Sequence, residues 1–163
     1  MGMFSAAIAL LGNGGRIQRK ERPERPFDCG DEPRSTILVI DDDPILLQTV
    51  KFLLVNRGFN VLTSSSAPRG LGVLGNAVGD IRVVLLNYNM PKLNGDESLK
   101  FVRQLRPNAK VIGLTAMNLD SVSREYLDGV DKLLTKPVVA TELLGAVDEL
   151  LGERQTSLSA IQQ

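Results

Sequence analysis

From Ser35 onward, short apolar runs alternate with stretches whose apolar residues recur at helical spacing. Thr36–Ile40 (TILVI) is apolar throughout, as expected of a strand covered on both faces of a sheet. Pro44 follows three aspartates and suits the first turn of a helix, where its missing N–H leaves no bond unmade. That helix carries Leu46, Leu47, Val50, Leu53 and Leu54 close to helical spacing, and Gly58 suits its C-terminal cap. Asn60–Thr63 reads as a short second strand. Ala67–Ala77 predicts a weak helix, because Gly70, Gly72 and Gly75 each lower helical stability. Ile81–Leu86 is the third strand, Asp96–Leu105 a helix ended by Pro107, and Lys110–Leu114 the fourth strand. Leu119–Leu127 predicts a helix before Gly129, and Lys132–Leu134 a short fifth strand. Glu142–Leu151 is the clearest helix: Leu143, Leu144, Val147, Leu150 and Leu151 share one face, with Thr141 available as cap. Strands alternating with helices predict an α/β fold, an open doubly wound sheet of five parallel strands. The sequence carries no internal repeat.

The flanks differ in kind. Residues 1–34 read as a disordered or poorly ordered extension, because Arg16 to Arg34 is charged, punctuated by proline and almost without apolar periodicity. The folded domain is expected over 35–152, followed by a polar tail at 153–163 with no second domain after it. Phe4 to Leu11 (FSAAIALL) is apolar but far short of the roughly 20 residues of a membrane span. With no basic residue before it and a weak cleavage region in Gly12-Asn13-Gly14-Gly15-Arg16, it reads as part of a cytoplasmic tail rather than a signal peptide.

Composition narrows the chemistry. The chain has 163 residues, with 19 basic and 19 acidic side chains, so no bulk field draws it to nucleic acid or anionic lipid. It contains no histidine, which removes histidine-based catalysis, ligation and autophosphorylation. A lone Cys29 forms no internal disulfide and agrees with a reducing compartment. With 4% aromatic residues and no tryptophan, base stacking on nucleic acid has little support.

In a doubly wound sheet, ligands gather beyond the carboxyl ends of the strands. Asp41, Asp42, Asn87, Thr115 and Lys136 all follow predicted strands and share that end. Taken singly, the aspartates are a capping cluster and Thr115 a strand-end hydroxyl. Taken together they suggest a site. Adjacent carboxylates repel unless a cation or lysine neutralises them, and oxygen-only ligands suit magnesium best.

Four segments carry a family resemblance: ILVIDDDP at 37–44, LLNYNMPKLNG at 85–95, VIGLTA at 111–116 and LLTKP at 133–137. In this order and spacing, the region from Ser35 to about Leu151 resembles the receiver domain of bacterial response regulators in two-component systems. The resemblance implies a flavodoxin-like receiver architecture. It implies that Asp41 and Asp42 hold magnesium together with the backbone carbonyl of Asn89. Thr115 matches the hydroxyl that grips a phosphoryl group, Lys136 the lysine that pairs with phosphate, and Pro137 its often cis-linked neighbour. Two positions depart from the family. Asn87 stands where the acceptor aspartate is expected, and Leu133 where a swinging Tyr or Phe is expected. An amide lacks the ionised oxygen that accepts phosphate. It also removes one negative charge, so the implied magnesium site is weakened and the metal-free fold gains stability. Lys136 loses an ion-pair partner there but retains the amide oxygen of Asn87 as an acceptor.

The leading expectation is a pseudo-receiver, a non-enzymatic module of a phosphorelay that acts by docking a protein. The partner is a sensor kinase, a phosphotransfer protein or a downstream target, and the docking face lies at about 116–135. Neither nucleic acid nor membrane is expected as a partner. The alternative is a working receiver, with Asn87 a laboratory substitution or with another residue accepting phosphate. Asp41-x-Asp43, Thr115 and Lys136 also loosely resemble haloacid-dehalogenase-like phosphatases. The immediate Pro44, the lack of a cap insertion and the missing later acidic motif speak against that enzyme.

Overall fold

In the computed structural model, which describes residues 34–77, 79–116 and 119–152, strands and helices alternate along the chain. They are β1 (Arg34–Ile40), α1 (Pro44–Asn56), β2 (Phe59–Ser64), α2 (Ala67–Asn76) and β3 (Ile81–Asn87). There follow α3 (Gly95–Leu105), β4 (Lys110–Thr115), α4 (Arg124–Gly129), β5 (Lys132–Thr135) and α5 (Ala140–Leu151). The readings made for residues 1–33 and 153–163 lie outside the described residues.

All pairings are parallel, in the order β2-β1-β3-β4-β5. Alternate side chains of one strand point to opposite faces. Ile37 and Val39 of β1 therefore join Val50 and Leu54 of α1 and Leu143 and Val147 of α5 in one core layer. Leu38 and Ile40 join Ala67 and Leu74 of α2, Leu99 and Val102 of α3 and Tyr126 of α4 in the other. This double coverage is why TILVI has no polar face. The strand order reverses direction beside β1, which opens a crevice between the ends of β1 and β3.

Local chemistry sets the boundaries. Asp43 is the N-cap of α1, accepting from the Ile45 and Leu46 backbone N–H groups, and Pro44 is the first helical residue. Gly58 follows the helix at φ 92°, a conformation suited to glycine. Helix α2 forms despite its glycines. Gly70 has a packing role, since a Cβ there would lie 2.5 Å from the Ile40 Cδ1. Asn94 and Glu97 close a reciprocal capping box at the start of α3, one residue earlier than the apolar pattern predicts.

Two predicted features are corrected. The single helix expected over Leu119–Leu127 is a 3₁₀ turn at Leu119–Ser121 followed by the short α4. Ser123 is extended (ψ 148°) and its side chain accepts from the Tyr126 N–H, so it starts a new helix inside the apolar pattern. Thr141 is not the cap of α5. The Leu143 N–H already donates to the Val139 carbonyl at 3.0 Å, which makes Val139 the cap residue, with no side-chain bond, and puts Thr141 in the first turn. Among the described residues, no helix is long and apolar enough to cross a membrane.

Candidate functional site

The three aspartates after β1 have separate partners. Asp41 continues the strand, its N–H donating to the Ser64 carbonyl at 3.1 Å, and it is fully buried. Its Oδ1 accepts from the Asp43 N–H at 2.9 Å. Its Oδ2 lies 2.7 Å from Lys136 Nζ, a charge contact outside good hydrogen-bond angles. Asp43 faces away and caps α1. Asp42 is left facing Asn87.

Asn87 ends β3 and is 4% exposed. Its Nδ2 donates to Asp42 Oδ1 at 3.0 Å and to the Asn89 carbonyl at 2.9 Å. Both acceptors are pure acceptors, so the amide nitrogen, not its oxygen, must face them. In the sheet register Asn87 pairs with Leu114, which places Thr115 one residue beyond it on β4. The Thr115 side chain is buried and its hydroxyl has no protein hydrogen-bond partner. Its carbonyl accepts from the Lys136 N–H at 2.7 Å, and the Lys136–Pro137 bond is cis. The structure thus gathers Asp41, Asp42, Asn87, Asn89, Thr115 and Lys136 at one end of the sheet. It differs from expectation at one contact, because Lys136 reaches Asp41 rather than the Asn87 amide oxygen. A buried carboxylate attracts an ammonium more strongly than a neutral amide does.

Leu133 sits on β5 opposite Gly113 of β4. A Cβ on Gly113 would lie 2.9 Å from the Tyr126 ring and 3.0 Å from Leu133. Sequence reasoning overlooked Tyr126. The ring is fully buried and its hydroxyl donates to the Leu86 carbonyl at 2.6 Å. It packs 4.8 Å from the Tyr88 ring. Burial, reinforced by the nearby Asp96 charge, pushes the Tyr126 phenol far above its ordinary value, so it remains a donor. Asp96 accepts from both Ser123 Oγ and Tyr88 OH, and the Tyr88 hydroxyl in turn accepts from the Ser123 N–H at 3.0 Å. The available sequence signal was a pair of glycines, Gly95 and Gly113, whose missing Cβ atoms make room for the two rings.

Each residue that the resemblance assigns to magnesium already has an oxygen engaged within the protein. Asp41 is ion-paired with Lys136 and accepts from the Asp43 N–H, and Asn87 Nδ2 holds Asp42 Oδ1 and the Asn89 carbonyl. Among the described residues, no three His, Cys, Asp or Glu side chains converge as a metal-holding group. The residues present therefore do not fit a divalent ion without breaking these contacts.

A five-stranded parallel sheet in the order 2-1-3-4-5, with an acidic pair, a threonine and a lysine at its carboxyl end, defines an α/β domain of the flavodoxin-like class. The response regulator receiver domain matches residues 37–148, and the chain belongs to this family of two-component signalling domains. It is 38% identical over 117 residues to the transcriptional regulatory protein CpxR of Klebsiella pneumoniae, covering 71% of this chain and 48% of that protein. It is 27% identical over 112 residues to the cell cycle transcriptional regulator CtrA of Caulobacter vibrioides, covering 68% and 48%. The chain spans about half the length of these curated relatives. Among solved structures, a response regulator receiver domain protein from Clostridium thermocellum superposes with a TM-score of 0.67 at 37% identity, covering 72% of this chain and 94% of that one. A CheY-like receiver from Methanospirillum hungatei gives 0.65 at 32%, covering 73% and 94%.

Proposed function

We propose that this receiver domain is a pseudo-receiver: a cytoplasmic, non-enzymatic signalling module that acts by docking a protein rather than by accepting phosphate. One observation carries the reading. The side chain at the end of β3 is an amide whose nitrogen faces Asp42, so no ionised oxygen stands where the family's acceptor belongs. Two of the three neighbouring carboxylates are poor substitutes. Asp41 is buried against Lys136, and Asp43 is committed to capping α1. The departure at Leu133 supports the same reading, since a leucine has no aromatic ring to swing between buried and exposed positions.

The partner is a sensor kinase, a phosphotransfer protein or a downstream target, and the docking face is 116–135. That face includes the exposed Leu119, which supplies an apolar anchor. The test is intact-mass spectrometry after incubation with magnesium and acetyl phosphate. The unsubstituted protein is expected to gain no phosphate, while Asn87→Asp gains one. A phosphate on the unsubstituted protein would sink the reading and direct attention to Asp41, Asp42 and Asp43 as acceptors.

A further inference from the structure

We infer that the Asn87 carboxamide nitrogen takes the place of a divalent cation in this domain, making the loop after β3 and the fold around it independent of metal. The inference deepens the proposed function and rests on its reading of Asn87 as the resident residue. An amide NH2 offers two donors. Both are used, one on the Asp42 carboxylate and one on the Asn89 carbonyl. These are the oxygens that a metal at this site would need. Asp41, the remaining carboxylate, has its own cation in Lys136. Each potential ligand residue therefore already faces a positive or partly positive group inside the protein. A divalent ion would have to displace two hydrogen bonds and gain only two carboxylates in return.

The position of Asn89 gives the substitution a structural purpose. Asn89 lies in the loop from Tyr88 to Asn94, which is anchored at one end by the Tyr88 N–H on the Leu114 carbonyl at 2.8 Å. The Gly95 N–H closes it back onto the Tyr88 carbonyl at 2.8 Å. Between these anchors the chain passes through Lys92 at φ 74°, a conformation uncommon for a residue with a Cβ. The bond from Asn87 to the Asn89 carbonyl crosses the base of this loop. Asn87 is thus a positioning residue that ties the loop to the acidic pair, work that an ion bridging both oxygens would otherwise do.

The experiment combines thermal unfolding of the full chain, in EDTA and in excess magnesium, with electron paramagnetic resonance of added Mn2+ as a direct probe of binding. The unsubstituted protein is expected to melt at the same temperature in both solutions and to leave Mn2+ free. Asn87→Ala removes both donors without adding charge, and should melt about 5 °C lower in EDTA. Asn87→Asp should melt lower in EDTA, recover in magnesium and bind Mn2+. A magnesium-dependent rise or Mn2+ binding in the unsubstituted protein overturns the inference. So does an Asn87→Ala variant that melts unchanged in EDTA. Should Asn87→Asp fail to fold, the other two proteins decide the matter. The metal readout is separate from the phosphate readout: phosphate on the unsubstituted protein defeats the pseudo-receiver reading, whereas metal binding without phosphate defeats only this inference.

Discussion

The Tyr126 hydroxyl donates to the Leu86 carbonyl at 2.6 Å, joining α4 to β3 one residue before Asn87. The bond spans 40 positions in sequence and is fully buried. Removing only the hydroxyl, in Tyr126→Phe, is expected to cost about 1–2 kcal/mol, because the bond is lost inside a dry core. Tyr126→Ala should cost about 3–5 kcal/mol, adding the cavity left by the ring. Urea unfolding of both variants separates the polar from the packing contribution.

Gly113 is expected to tolerate no side chain while Tyr126 and Leu133 remain. Its added Cβ would lie 2.9 Å from Tyr126 and 3.0 Å from Leu133, closer than side chains ordinarily pack, so Gly113→Ala should destabilise by about 1–3 kcal/mol. Combining it with Leu133→Ala should recover part of that loss, giving a non-zero coupling in a double-mutant cycle. Strict additivity would show that the crowding is relieved elsewhere.

Lys136 and Asp41 form an unequal pair, the lysine side chain one-quarter exposed and the aspartate fully buried. Lys136→Met leaves that carboxylate without its counter-charge and is expected to cost about 3 kcal/mol. Asp43→Ala, which removes the cap of α1, should cost only about 1 kcal/mol. Chemical denaturation at neutral pH should rank the two variants in that order.

Asp131 makes part of the stability acid-sensitive. Desolvation works to raise its pKa, but hydrogen bonds from Arg103, the Val111 N–H and Lys110 outweigh it and hold the carboxyl below its ordinary 3.8. A depressed carboxylate stabilises the fold above its unfolded pKa and loses that contribution as pH falls through the folded one. Stability should therefore decline in acid below about the ordinary carboxylate range. Asp131→Asn should begin less stable at neutral pH and decline less steeply. Urea midpoints measured from neutral pH downward test the difference in slope.

Thr115 offers a reversed expectation. Its buried hydroxyl has no protein partner, so Thr115→Val, which keeps the shape and removes the polar atom, should be neutral or stabilising by up to about 1 kcal/mol. A marked loss in the melting temperature would mean that the hydroxyl is bonded to ordered water.

The central strands were legible because double burial leaves a largely apolar run, as in TILVI, while the edge strand β2 alternates buried and exposed residues; each strand appears where its segment predicted. Their ends were less so. Asn87, Thr115 and Thr135 belong to strands through parallel pairing, which engages the backbone whatever the side chain. The break before α4 was hidden because Leu119, Val122 and Leu127 keep a helical rhythm across Ser123, and only the cap bond reveals it. At the site, residue types and order identified which side chains converge. The direction of the Asn87 amide and the choice of Lys136 for Asp41 were not legible, since the first depends on which acceptors lie beside the amide and the second on which charge is buried. Tyr126 was missed because its role depends on two glycines from distant segments.

The strand order has a consequence for how the molecule comes into being. β1 lies between β2 and β3, so both of its neighbours are made after it, and its pairing with β3 joins Thr36 to Ile81. During synthesis, one edge of the TILVI run stays open until the residues of β3 have emerged. Contacts so distant in sequence close slowly, and an unpaired apolar edge invites pairing with other chains. Refolding yield is therefore expected to fall with protein concentration, with the nascent first strand as the most vulnerable stretch of the domain.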